Sequence, residues 1–239
     1  MEFALAVLAA NREIFSFLQT ADDSLFQSDG QVGFGGDKSL PVDLIAEKIF
    51  IKHLGGFGRI NSEECGLMGS GRDEIVIDPI DGSSNAASGF PYYGTSVALK
   101  SDNKAVVSVV CNMTNGEYFL KNSSGIYHRQ LFDDRVLNVK RETSSIGLFE
   151  KAYSFPREAK ALERMGFKFR SPGALALSLA YAHSVLFVVA AGKLREYDII
   201  AGLHLCEDLN VFVSERLIII SREKTVFDRL KAVFIEEVR

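Results

Sequence analysis

Eight residues, Asp78-Pro79-Ile80-Asp81-Gly82-Ser83-Ser84-Asn85, follow a short apolar run, Glu74-Ile75-Val76-Ile77. A buried strand over 74–77 would deliver two carboxylates three positions apart at its C-terminal end. Carboxylates held that close repel each other unless a cation lies between them. Oxygen-only donors favour Mg2+, Mn2+ or Ca2+ over zinc. After Asp81, the backbone of Gly82-Ser83-Ser84 can offer amide donors to an anion, much as helix N-termini do. Cation ligands beside an anion cradle are suited to phosphate chemistry. The competing reading is a structural Asx-Pro turn with capping serines.

Two further acidic segments stand elsewhere in the chain. Ile60-Asn61-Ser62-Glu63-Glu64-Cys65-Gly66 places paired glutamates just before the strand, and Arg195-Glu196-Tyr197-Asp198 opens a helix of small residues, Ala201-Gly202. Alone, the first reads as a solvated loop and the second as a helix N-cap. If all four carboxylates meet, they form a cage for hard cations.

The elements that must position them follow from periodicity. Leu5, Leu8, Ile14, Phe15 and Leu18 mark the inner face of a helix over Glu2–Leu18. The glycine-rich segment 30–36 predicts a mobile loop. Asp43 is placed as the N-cap of a second helix ending at Leu54. Strands are expected over 95–99 and 105–111, and Asn115-Gly116 is a hairpin turn into a strand over 117–120. Further strands are expected over 145–149, 167–169 and 217–220. Helices are expected from Pro156, from near Asp198, and over 226–238. The uncharged stretch Ala174–Ala191 reaches the length of a membrane span. Its texture changes midway, however, which predicts a buried helix over 174–182 and a buried strand over 185–189.

Composition narrows the function further. With 239 residues, 47% hydrophobic and 24% charged, the chain is globular, with ample material for a core. At roughly 150 residues per domain, one large domain or two intimate halves are allowed. Twenty-seven basic against thirty-one acidic residues give a net charge of −4, which argues against nucleic acid as the main partner. Cys65, Cys111 and Cys206 are odd in number and lack metal spacing, which suits a reduced cytoplasmic protein. The N-terminus has no early basic residue and makes a poor signal peptide.

Together the motifs resemble the inositol monophosphatase family, within the Mg2+-dependent, lithium-sensitive phosphatase superfamily that includes fructose-1,6-bisphosphatases. The run 78–85 is similar to the family's D-P-[I/L]-D-G-[S/T]-[S/T]-N. Asp198 with Ala201-Gly202 is similar to its W-D-x-A-A-G, with Tyr197 for tryptophan. Residues 61–66 match its Glu-Glu segment, and Asp43 with Ala46-Glu47-Lys48 its upstream helix start. The resemblance spans roughly residues 30–205 and implies an α/β fold of alternating layers of helices and mixed sheets. One phosphatase domain would fill residues 1–239. Its N-terminal half, about 1–140, would hold the main metal motif, and its C-terminal half, about 141–239, would supply Asp198.

The resemblance also implies roles. Glu63 and Asp78, with the Ile80 carbonyl, would bind one metal; Asp78, Asp81 and Asp198 would bind a second; Glu63 would support a weaker third. Gly82, Ser83 and Ser84 would hold phosphate. Ser83, with Asp43 nearby, would position and deprotonate the attacking water, with Glu63 in support. Gly173 and Ala174 match a glycine-serine pair that touches substrate. The cofactor would be two or three Mg2+, with Mn2+ a substitute and Ca2+ or Li+ inhibitory. The activity implied is hydrolysis of a small polyol or sugar phosphate, foremost inositol 1-phosphate, by a homodimer without membrane or nucleic-acid partners.

Departures touch the substrate rather than the metal chemistry. Ala86, Ala191 and Ala174 replace an aromatic, a glutamate and a serine of the family pattern. Gly192-Lys193-Leu194-Arg195 and the short segment at 38–43 look more like archaeal dual-specificity enzymes. Leu209-Asn210-Val211 replaces a small-residue run. Arg157, Lys168, Arg170, Lys193 and Arg195 are candidates for a second phosphate, Arg170 first. The rivals are fructose-1,6-bisphosphatase, a 3′-phosphonucleotide phosphatase and, in another class, a non-catalytic regulatory partner of transcription machinery.

Overall fold

The structure is a computed structural model describing residues 2–28, 30, 33–36, 39–137 and 144–236. Parts of the glycine-rich segment and of 38–43, the boundary expected near 140, and residues 237–238 of the expected last helix lie outside them. Seven strands form one sheet: β1 (Arg59–Ser62), β2 (Gly66–Met68), β3 (Glu74–Asp81), β4 (Gly94–Ser101), β5 (Lys104–Asn112), β6 (Glu117–Asn122) and β7 (Gly125–Gln130). Their order is β2-β1-β3-β4-β5-β6-β7, antiparallel except for the parallel pair β1–β3. Five more form a second sheet: β8 (Ile146–Glu150), β9 (Lys168–Arg170), β10 (Val188–Ala191), β11 (Asn210–Ser214) and β12 (Leu217–Ser221), in the order β11-β12-β10-β8-β9. The helices are α1 (Glu2–Leu18), α2 (Pro41–Leu54), α3 (Ser83–Ala87), α4 (Pro156–Arg164), α5 (Leu175–Ala180), α6 (Glu196–Leu205) and α7 (Lys224–Lys231).

Successive strand residues point to opposite faces, and in the large sheet both faces are covered. Val97 and Val109 pack with Val7 and Ile14 of α1 and Phe50 of α2, whereas Ala98 and Val110 pack with Leu177 of α5 and Ala201 of α6. The small sheet repeats the arrangement. Val188 and Ile218 meet Leu179 and Cys206 on the α5–α6 side; Phe149 and Ile219 meet Leu162 of α4 and Phe227 of α7 on the other. The result is five layers: helices, sheet, helices, sheet, helices. Burying one large apolar side chain contributes about 1.5–3 kcal/mol, so these four clusters hold the layers together.

The middle layer explains the long apolar stretch. Residues of α5 face a sheet on each side, so the segment needs no polar face. It runs as α5, a 3-10 turn over Tyr181–His183, and β10, which starts at Val188, three residues later than expected. No described helix is long and apolar enough to cross a membrane.

Other expectations need correcting. Leu5 of α1 is 58% exposed, and Phe3 and Val7 take the inner face instead. Asp43 is not the N-cap of α2. Leu40 holds that position, Pro41 begins the helix, and the Asp43 carboxylate accepts the Leu40 N–H at 2.8 Å. The last helix begins at Lys224 and widens into a π-turn over Ala232–Glu236. β1, β2, β7 and β11 add strands that periodicity did not single out, being short or polar.

Candidate active site

β1 and β3 run parallel with Ser62 opposite Ile77. The Glu63 N–H then donates to the Ile77 carbonyl at 3.1 Å, which brings Glu63 beside Asp78. β3 pairs with β4 up to Asp78–Ser96, breaks register, and resumes at Asp81–Gly94. Pro79, which has no N–H to give the ladder, lies in that break. Asp198 comes from the first turn of α6, which is tied to β4 where the Ser96 hydroxyl donates to the Tyr197 carbonyl at 3.3 Å. One carboxylate oxygen from each of Glu63, Asp78 and Asp198 lies within 4.8 Å of the other two. Asp81 stands alongside. Its Oδ2 accepts the Leu177 N–H at 3.0 Å at the start of α5.

All four are buried, from 2% exposed for Asp78 to 9% for Glu63. Burial pushes the Asp78 carboxyl well above the usual carboxylate range, and repulsion from Glu63, Asp81 and Asp198 adds to this. Asp81 is raised chiefly by burial, against the Leu177 N–H. The Oδ1 of Asp78 is buried without any hydrogen-bond partner. A buried acceptor left unsatisfied is costly and calls for an explanation. An oxygen-only donor set around an orphaned carboxylate oxygen fits a hard divalent cation.

The turn after β3 provides the second half of the site. Gly82 adopts φ +91°, and a Cβ there would lie 3.0 Å from the Ala174 Cβ and 3.2 Å from the Tyr92 carbonyl oxygen. Only glycine permits this turn, which opens α3 with Ser83 and Ser84 at its start. First-turn N–H groups have no intrahelical acceptor, and Gly82, Ser83 and Ser84 all line the same cleft as the carboxylates. The Ser83 hydroxyl donates to the Ile80 carbonyl at 2.9 Å and lies 3.4 Å from Asp43 Oδ1. Asp43 is 2% exposed. Burial, with Glu64 nearby, raises its carboxyl to about 7, against the Leu40 N–H and the Ser83 hydroxyl.

The cleft encloses about 560 Å3, enough for a small phosphorylated ligand. Gly173 lines it, and Ala174 is buried against Gly82. Arg170 does not line the cleft; it is exposed and donates to the Phe169 carbonyl. The described part of the glycine-rich segment is hydrogen-bonded to the site, the N–H of Gly35 to the Glu63 carbonyl at 2.8 Å and that of Phe34 to the Glu64 carbonyl at 3.0 Å. A Cβ on Gly35 would lie 2.9 Å from Glu63 Cγ, so glycine allows this close approach.

Three features escaped the sequence. Glu150, at the end of β8, accepts the Gly173 N–H at 2.9 Å and the Ser178 hydroxyl at 2.5 Å, fixing the turn before α5. Lys151, in the left-handed region at φ +57°, lines the cleft rim with Tyr153 and Lys193. Arg195, expected as a candidate for a second phosphate, lies inside the acidic cluster instead. Its Nη1 is 2.5 Å from Glu63 Oε1, and its Nε and Nη2 donate to the two oxygens of Asp198 at 2.9 and 3.1 Å. Its place three residues before Asp198 on a helix start was the available signal.

Comparison with known proteins gives the family and the fold. Residues 43–214 match the model of the inositol monophosphatase family. The chain is 29% identical over 206 residues to a fructose-1,6-bisphosphatase/inositol-1-monophosphatase of Methanothermobacter thermautotrophicus, covering 80% of this chain and 70% of that protein. It is 28% identical over 201 residues to the Nus factor SuhB of Xylella fastidiosa, covering 75% and 69%. Among solved structures, a Thermotoga maritima IMPase superposes with a TM-score of 0.79 at 22% identity, covering all of both chains. The expected layered fold is therefore the observed one, and the chain belongs to the inositol monophosphatase family of phosphoric monoester hydrolases.

Proposed function

We propose that this chain is a Mg2+-dependent phosphomonoesterase that hydrolyses a small polyol or sugar phosphate, foremost inositol 1-phosphate. The observation that carries the reading is the orphaned Asp78 oxygen, buried among Glu63, Asp81 and Asp198 and opening on the same cleft as Gly82-Ser83-Ser84. Glu63, Asp78, Asp81, Asp198 and the Ile80 carbonyl would hold the cations. Bound there, divalent ions neutralise phosphoryl charge and acidify water. The backbone of Gly82, Ser83 and Ser84 would hold the phosphate. Ser83 would orient the attacking water through its hydroxyl, and Asp43, raised to about 7, would hold the proton released near neutral pH.

A second reading has an observation of its own. Lys151 and Lys193 line the rim of the cleft, and among the described residues neither joins an ion pair. Two ammonium groups at that rim, Lys151 also beside the Glu150 carboxylate, suit a second anionic group, as in fructose 1,6-bisphosphate, and relatives carry both names. A 3′-phosphonucleotide is a weaker candidate. The relative named as a Nus factor keeps a transcription partner open as a separate role. A single phosphatase domain, a homodimer and a cytoplasmic setting complete the proposal, the last in keeping with three free cysteines.

Phosphate release with Mg2+ against EDTA, across inositol 1-phosphate, fructose 1,6-bisphosphate and a 3′-phosphonucleotide, tests the reading. Mg2+-dependent release from the first supports it. Faster release from the bisphosphate, lost in Lys151→Ala with Lys193→Ala, selects the second reading. No release from any of them, with the protein captured by transcription factors at raised salt, would favour the regulatory role.

A further inference from the structure

We propose that Arg195 is a built-in counter-cation of the acidic cluster, competing with divalent ions for Glu63 and Asp198. The inference rests on the reading of that cluster as a cation site. The guanidinium commits Nη1 to Glu63 and Nε with Nη2 to both oxygens of Asp198. These are two of the three carboxylates whose oxygens converge within 4.8 Å. It leaves the third, Asp78, with an unpartnered oxygen.

The arrangement is therefore half of a cation site satisfied by the chain itself. Four buried carboxylates without a counter-charge would oppose folding strongly. A planar fork with fixed donors is well suited to pairing two of them. The pairing has a consequence for loading. An ion that draws on Glu63, Asp78 and Asp198 together must share or take the lone pairs that Arg195 now uses. The side chain is 20% exposed and lies 5.5 Å from the centroid of the Tyr197 ring, so it has an apolar surface beside it and solvent within reach.

The rival role is that of a positioning residue. Groups that hydrogen-bond to metal ligands often orient them and strengthen binding. The two roles predict opposite signs. Removing a competitor tightens cation binding; removing an orienting group weakens it.

Full-length wild type, Arg195→Met and Arg195→Lys would be titrated with Mn2+ by calorimetry and by the loss of free-ion EPR signal. Each would also be melted with EDTA and with saturating Mn2+. Arg195→Met is expected to bind Mn2+ about tenfold more tightly, to melt lower than wild type in EDTA, and to recover that loss with Mn2+. Arg195→Lys, which keeps the charge without the fork, is expected between the two and serves if the methionine variant fails to fold. Equal or weaker Mn2+ binding by the folded variants overturns the proposal while leaving the cation site standing. Mn2+ uptake by none of the proteins removes the cation site itself, and the proposal with it.

Discussion

Replacing Asp78 by asparagine separates a cation ligand from a structural residue by the sign of its effect on stability. Asp78 is 2% exposed, its carboxyl is raised by burial and by three neighbouring carboxylates, and its Oδ1 has no partner. In the metal-free protein this group is a cost. An unsatisfied buried acceptor alone is worth about 1–3 kcal/mol. An asparagine side chain there would keep the shape, drop the charge and offer N–H donors to the carboxylates around it. Asp78→Asn is therefore expected to stabilise the metal-free fold by about 2 kcal/mol, or about 4–8 °C in melting temperature for a chain of this size. If Asp78 is the central ligand proposed, the same change removes it, so the Mg2+-induced rise in melting temperature should vanish. Mg2+-dependent phosphate release should fall about a thousandfold, several kcal/mol of transition-state stabilisation. Calorimetric melts in EDTA and in Mg2+, with a phosphate assay, measure all three. A variant that melts lower than wild type in EDTA and still turns over with Mg2+ would refute the reasoning.

Asp43, Asp78 and Asp81 all bind protons more tightly folded than unfolded, Asp43 near 7 against an ordinary value of 3.8. The contribution of Asp43 to metal-free stability is thus greatest at low pH and is lost as pH rises through about 4 to 7, with Asp78 and Asp81 acting in the same direction; denaturant titrations in EDTA at about pH 5 and about pH 8 should show the fall, and saturating Mg2+ should shrink it. Gly82→Ala forces a side chain into a left-handed turn 3.0 Å from the Ala174 Cβ, so it should cost about 1–2 kcal/mol or more and depress turnover, as melting and phosphate release would record. Glu150→Ala removes the acceptor of the Gly173 N–H and leaves the buried Ser178 hydroxyl only the Tyr92 hydroxyl at 3.2 Å, so it should cost about 2 kcal/mol by denaturant titration, with Glu150→Gln milder because one acceptor survives.

What the sequence made legible was local. Asp78 to Ser84 act as one turn, and a single short segment holds two of the clustered carboxylates, the proline break and the glycine turn. Asp198 was legible because small residues follow it on the helix that brings it in. The layers were legible as texture, since α5 had to be apolar all round to sit between two sheets. The rest depends on partners distant in sequence. Nothing near Glu150 reveals that it will meet the turn at Gly173, because β8 and α5 become neighbours only when the small sheet forms. Arg195 read as a candidate for a second phosphate rather than a partner of the carboxylates, because Glu63 arrives from the end of β1, in the other sheet's neighbourhood. Leu5 fitted the helical stripe, yet the sheet is met by Phe3 and Val7, a rotation that only packing decides. The glycine-rich segment looked free because its hydrogen bonds go to backbone carbonyls of Glu63 and Glu64, which leave no trace in side-chain type.

The helical layer between the two sheets has one more consequence. Asp81 grips the N–H of Leu177, 96 positions downstream, and Asp198 enters from the helix after that. A growing polypeptide that has exposed only the large sheet owns Glu63, Asp78 and Asp81 but lacks the piece that completes the cage. If the cluster holds cations as proposed, tight ion capture can begin only once α6 has left the ribosome and settled. Ion uptake would then mark the docking of α6, with β11, β12 and α7 still to follow, and a fragment ending before α6 would bind the ion no better than scattered surface acids.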